Sequence, residues 1–343
     1  MFKAEYDVRI NFQNSIKMIK YEIMGKSVIF IIFLFLLWVF GGFLPNSGYD
    51  GYGASQGQNF TAKLLDSFPN DIVSRLELEA KAAFVFDLKN NSELFAKNVE
   101  AQLPLASLAK LMTALAAVEN LDSGAVISIS KEALEQEGDS GLFLNERWSL
   151  KDLIDIMLVN SSNDAAFAVS EAALLSETAR PFQEIAPTKS QNDKILALMN
   201  SKARELEMRQ TFFLNATGLD LNNEISGAYG SAKDIVILLK YILENHPDIL
   251  SATNQESLKL VSFDGQPHIF QNTNQSLNKI SGFVAGKTGF TDLAAGNLAV
   301  VFDAGFNHPI AAVVLGSSFD GRFKDMERLL EATYKNFEYS RSQ

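Results

Sequence analysis

The sequence predicts an α+β domain with a helical insertion, preceded by one transmembrane helix. Three observations carry this. β-rich runs lie at both ends of the folded part, apolar residues recur at helical spacing through its middle, and an uncharged apolar run sits near the N-terminus. Apolar types make up 47% of the 343 residues and charged types 21%, the balance of a chain that buries a core. That length allows one large or two ordinary domains.

Residues 1–26 carry Lys3, Arg9, Lys17, Lys20 and Lys26 against Glu5, Asp7 and Glu22, and no charge follows until Asp50. The positive-inside bias makes this segment cytoplasmic. Residues 27–44, SVIFIIFLFLLWVFGGFL, have no polar face, and as a helix they would span roughly 27 Å, close to the hydrocarbon thickness of a bilayer. A cleaved signal peptide would normally be shorter in its apolar part, and no small-x-small site follows closely, so a retained anchor is expected. Residues 45–65 begin as a Gly-, Ser-, Asn- and Gln-rich stretch that suits a flexible linker, and the folded domain is expected over 66–343, on the extracytoplasmic side of the cell membrane.

Within that domain, Ala82 to Leu88 and Leu94 to Lys97 flank an Asn-containing turn and read as a hairpin. A long apolar helix is expected from about Leu105 to Glu119. Helical spacing recurs over Leu150 to Val159, Asp164 to Leu175, Lys194 to Leu206 and Ala232 to Glu244, which places a helical insertion at about 120–265. Phe283 to Phe290, Gly296 to Phe302 and Ile310 to Gly316 read as strands, and Arg322 to Phe337 as a closing amphipathic helix.

Composition excludes several chemistries. The absence of cysteine removes disulfides, thiolate metal sites and cysteine nucleophiles. A formal net charge of −11 argues against nucleic acid as a partner. His246, His268 and His308 each adjoin a proline, as turn residues do, and there is no H-E-x-x-H, so a histidine hydrolase or zinc peptidase is set aside.

Lys110 is the only charged residue between Ala101 and Val118. Burial disfavours an ammonium, so this amine could act as a base near neutral pH. Ser107, three residues earlier, shares its helix face and lies in the first turn, where free N–H groups favour developing negative charge. The S-x-x-K pattern occurs three times, but Ser128 with Lys131 falls in an alternating strand and Ser276 with Lys279 in a polar stretch. Only Ser107 with Lys110 presents both groups from a buried helix start. Ser161, Ser162 and Asn163 form a turn between two apolar helices, by itself a capping turn. Lys287, Thr288 and Gly289 sit on a strand, where they could hold a carboxylate, or serve as an edge lysine that deters aggregation.

In this order, Ser107-x-x-Lys110, Ser161-x-Asn163 and Lys287-Thr288-Gly289 resemble the three motifs of the serine penicillin-recognising enzymes, and most nearly the low-molecular-mass D-alanyl-D-alanine carboxypeptidases. The likeness runs from about Phe84 to Phe337 through LPLASLAKLMTAL, SLKDLIDIMLVNSSNDAA, Met199-Asn200, TFFLNATGLD and GKTGFTDLAAGNLAVVF. It implies a β-lactamase/transpeptidase-like fold with an antiparallel sheet flanked by helices. The implied activity is a DD-peptidase acting on peptidoglycan stem peptides through an acyl-enzyme on Ser107, with β-lactam antibiotics as covalent inhibitors and no metal or cofactor. Lys110 would be the general base and Ser161 a proton relay. Asn163, Lys287, Thr288, Gly289 and Arg322 would bind substrate, the lysine, threonine and arginine at its carboxylate. The backbone N–H groups of Ser107 and Phe290 would form the oxyanion hole.

The chain departs from the family pattern at Ala109, usually threonine, at Ser162, often glycine, and in an insertion between Leu175 and Asp193. The β-rich C-terminal domain of many relatives is not expected here, and the N-terminal helix is expected to tether the domain instead. A DD-endopeptidase cutting cross-links remains the alternative activity, and a membrane-tethered binding protein without catalysis the alternative class. A β-lactamase is disfavoured because no E-x-x-L-N motif is present.

Overall fold

The computed structural model describes residues 76–175, 193–305 and 307–341. The expected cytoplasmic segment, anchor and linker, and nearly all of the insertion after Leu175, lie outside the described residues. Among the described residues no helix is long and apolar enough to cross a membrane.

The chain enters through the hairpin β1 (Ala82–Asp87) and β2 (Ser92–Lys97), then a short β3 (Leu103–Pro104). A 3-10 turn over Ala106–Leu108 leads into helix α1 (Ala109–Asn120). Next come β4 (Val126–Ser128), α2 (Lys131–Leu134), β5 (Arg147–Ser149), α3 (Leu150–Val159), α4 (Asn163–Leu175) and α5 (Asp193–Glu205). They are followed by β6 (Phe212–Phe213), β7 (Ala228–Gly230), α6 (Ala232–Asn245), and the hairpin β8 (Ser257–Val261) and β9 (Pro267–Gln271). Three long strands, β10 (Phe283–Thr291), β11 (Ala295–Asp303) and β12 (Pro309–Ser317), precede helix α7 (Gly321–Arg341).

The main sheet is antiparallel with order β10-β11-β12-β1-β2. Its central strands are apolar on both faces because both faces are covered. Leu298, Val300 and Phe302 of β11 and Ile310, Ala312 and Val314 of β12 pack with Phe323, Met326, Leu329 and Leu330 of α7. The alternate residues Ala299, Val301, Ala311, Val313 and Leu315 join the larger core built on α1, α3, α4 and α6. β10 forms one edge of this sheet, where Gly286 N–H donates to Thr253 Oγ1 at 3.3 Å and Thr288 O accepts from Lys287 Nζ at 2.8 Å.

The expected elements recur with shifts of one or two residues at most ends, with three corrections. Ser107 lies in the 3-10 turn ahead of α1 and not in the α-helix itself. The hairpin β8–β9, where Leu258 and Phe270 are buried, occupies ground read as the end of a helical insertion. His268 is a strand residue of that hairpin and not a turn residue.

Candidate active site

The nucleophile turn is held in an uncommon backbone conformation. Ala106, immediately before Ser107, has φ +48°, a left-handed value that costs a non-glycine residue about 1–2 kcal/mol. Its surroundings impose it. Leu105 N–H donates to Ala228 O at 2.9 Å, and Asn297 of β11 donates to Pro104 O at 3.0 Å, which ties the approach to the turn onto the sheet. Gly218 has φ +80°, and a Cβ there would lie 1.9 Å from Ala106 O, so only glycine admits the turn at this place.

Lys110 follows one turn later, fully buried. Its Nζ lies 2.9 Å from Ser107 Oγ, 2.7 Å from Asn163 Oδ1 and 2.6 Å from Thr217 O. Two of these partners only accept, because Asn163 is oriented by its Nδ2 donating to Glu137 O at 2.6 Å. A neutral amine has two N–H groups and one lone pair. With the hydrogens on Asn163 and Thr217, the lone pair faces the Ser107 hydroxyl. Burial lowers the Lys110 pKa to about 7, so this neutral form is accessible at physiological pH. Ser107 and Lys110 thus have the contact that a nucleophile and its base require.

The other two motifs meet at a second amine. Lys287 on β10 is buried, and its Nζ donates to Ser161 Oγ at 2.8 Å and Thr288 O at 2.8 Å. Burial pushes its pKa well down, and the positive charges of Lys110 and Arg322 push the same way. Ser161 has φ +64°, a second strained residue at the site. Thr288 Oγ1 pairs with Thr273 Oγ1 at 2.6 Å. Gly289 permits close approach, since a Cβ there would lie 2.9 Å from Leu105 O and 3.3 Å from Ser107 N. Arg322, at the start of α7, donates from Nη1 to Gly289 O at 2.8 Å.

Every hydrogen-bond partner just named for Lys110, Lys287 and Arg322 is a neutral oxygen. Lys287 and Arg322, joined by Lys110 when it is protonated, gather around β10 with no ion-paired carboxylate among the described residues, which suits the site to an anionic ligand. The rejected S-x-x-K pairs are elsewhere engaged. Lys131 meets Glu135 at 3.4 Å and Lys279 meets Glu327 at 2.9 Å. The histidines pair with carboxylates, His246 with Glu119, His268 with Glu146 and His308 with Asp87.

A family model described as D-alanyl-D-alanine carboxypeptidase matches residues 70–318. The chain belongs to this family. Among curated relatives of this D-alanyl-D-alanine carboxypeptidase family member, the carboxypeptidase DacF of Bacillus subtilis is 29% identical over 280 residues, covering 79% of this chain and 67% of DacF. The D-alanyl-D-alanine endopeptidase of Escherichia coli is 28% identical over 248 residues, covering 71% of this chain and 73% of that one. The chain therefore spans about two thirds to three quarters of these relatives. Penicillin-binding protein D2 of Listeria monocytogenes, solved in its cefotaxime-bound form, superposes with a TM-score of 0.62 at 27% identity, covering 76% of this chain and 99% of that one. The penicillin-binding, transpeptidase-like fold is thus shared.

Several residues of the site carried no separate role in the sequence reading. The Thr217 carbonyl has no side-chain signal, although Gly218 beside it marks a place where backbones meet. Asp220 accepts from Thr291 Oγ1 at 3.0 Å and Leu293 N at 3.1 Å, joining the LNATGLD segment to the end of β10. Ser162, a departure from the family pattern, caps α4 through Ala165 N at 3.0 Å and receives Ser140 Oγ at 2.6 Å.

Proposed function

We propose that this chain is a serine-type DD-peptidase that attacks the peptide bond between the two terminal D-alanines of peptidoglycan stem peptides. The contact of Ser107 with a buried, lone-pair-bearing Lys110, facing the cationic strand β10, carries the reading. The substrate lies along the outer edge of β10. Its terminal carboxylate is held by Lys287 and the Thr288 hydroxyl, beside the close-approach glycine Gly289. Lys110 takes the Ser107 proton as Oγ bonds to the carbonyl carbon of the penultimate D-alanine. The N–H groups of Ser107 and Phe290 receive the developing oxyanion, a role worth about 3–4 kcal/mol per donor. The C–N bond then breaks, the proton reaches the departing amine through Ser161, and terminal D-alanine leaves an ester on Ser107. Water hydrolyses the ester. Asn163 holds Lys110 and the substrate amide throughout.

β-Lactams are covalent inhibitors under this scheme, as their ring carbonyl meets the same nucleophile. Fluorescent penicillin is expected to label the wild-type protein and not Ser107→Ala, and an unlabelled wild type would overturn the proposal. The endopeptidase relatives support a second reading, cleavage of cross-links. Digestion of purified muropeptides separates the two, with free D-alanine marking the carboxypeptidase and loss of dimers the endopeptidase. The apolar segment 27–44 is proposed as a membrane anchor with the domain outside the cytoplasm. Recovery of the full chain in membranes, with the domain open to added protease in spheroplasts, is the expected result, and a soluble cytoplasmic chain would refute it.

A further inference from the structure

We propose that Arg322 is a positioning residue for the oxyanion hole, acting through the Gly289–Phe290 peptide group and not by contact with the substrate carboxylate. This rests on the function proposed above. The Arg322 side chain is 4% exposed, and Nη1 donates to the carbonyl of Gly289 at 2.8 Å. Aromatic rings hold the guanidinium there. Its central carbon lies 4.4 Å from the Phe319 ring centroid, 4.8 Å from that of Phe323 and 6.0 Å from that of Phe290. Nε is buried without a partner, so the ring cage and the Gly289 carbonyl, and not a full set of hydrogen bonds, define the position.

The bonded carbonyl belongs to a particular peptide unit. In a trans peptide, C=O and N–H lie in one plane and point in opposite directions. The N–H partner of the Gly289 carbonyl is that of Phe290, the oxyanion donor of the proposed mechanism. A cation bonded to the oxygen fixes the plane of this peptide and so the aim of the Phe290 N–H. It also draws electron density toward the oxygen and makes that N–H a stronger donor. Gly289 itself abuts the Ser107 backbone, so a small rotation of this peptide changes the distance between the two donors.

The alternative is a direct contact between Arg322 and the carboxylate, and the two make opposite statements about a substrate lacking that group. Acylation rates are to be measured with penicillin G and with its methyl ester for wild type, Arg322→Gln, Arg322→Lys and Phe319→Ala. Phe319 is half exposed, so its removal leaves folding intact while withdrawing one ring from the cage. Arg322→Gln is expected to slow the limiting acylation rate by about 10- to 100-fold with both compounds. The half-saturating concentration should change little, and Arg322→Lys should restore part of the rate. Phe319→Ala should give a smaller loss, again equal for acid and ester, so the test survives if the Gln variant does not fold. A loss confined to penicillin G would overturn the inference, as would unchanged rates in every variant. Failure of the wild type to be acylated by either compound would instead strike the proposed function.

Discussion

In the proposed mechanism Lys110 turns from a structural liability into a base because its three neighbours are two obligate acceptors and one hydroxyl. With its pKa lowered to about 7 by burial, the proton is lost as pH rises through that value. Acylation of the free enzyme should therefore climb from acidic pH and level off above about pH 7, measured as the second-order rate of penicillin labelling. A flat profile from pH 5 to 9 would remove Lys110 from the base role. Lys110→Arg keeps a cation but cannot deprotonate, and should cost at least about 100-fold in that rate. Gly218→Ala tests the backbone beneath. A methyl group there meets Ala106 O and must displace the nucleophile turn, so labelling of Ser107 should fall steeply even in protein that remains folded by circular dichroism. Ser107 and Lys110 stood out in the sequence because a lone lysine in an apolar helix is chemically anomalous, whereas the two companion motifs, by themselves a capping turn and an edge lysine, gained meaning only from the resemblance of all three to a known family. The Thr217 carbonyl and the left-handed Ala106 were not legible, since neither leaves a mark in side-chain chemistry.

Elements were legible where their period was long. The helix over Leu150–Val159 was read at its observed ends because Ser149 caps it, accepting from Asp152 N at 3.0 Å. The β8–β9 hairpin was missed because each strand is only five residues long and its outer face carries Val261 and Ile269, both exposed, which blurs the alternation. The start of α1, expected at about Leu105, lies four residues later at Ala109, because the left-handed Ala106 and the 3-10 turn after it delay the α-helix. The same scale explains Ser162. It caps α4 and fastens the segment around Ser140, which Asp164 also holds by accepting from Ser140 N at 3.3 Å. Ser162→Ala removes both bonds and should lower stability by about 1–2 kcal/mol, read as the urea midpoint, with a smaller effect on labelling. A variant as stable as wild type would mean that the clamp contributes nothing.

Across the whole molecule, the segment entering β1 and the helix leaving β12 are pinned to each other at one carboxylate. Asp325 of α7 accepts from Glu79 N at 3.1 Å, Ala80 N at 2.8 Å and Ser317 Oγ at 2.8 Å, in full burial. Asp325→Ala strands those donors and should cost about 3 kcal/mol or more, seen as a lower melting temperature. Retained melting behaviour would contradict this account of how the sheet is closed from behind. The α+β plan was legible because strands fell at both ends of the chain, but their order was not, since the placing of β1 beside β12 is a contact between residues more than two hundred positions apart. Under the proposed function, a guest chain laid along the margin of the sheet would be gripped through amide groups that every residue shares. Such a grip is indifferent to chemical variety upstream of the cleaved bond, so stem peptides that differ at their third position should be trimmed at similar speed. Inverting the handedness of the final alanine, by contrast, should stop the reaction.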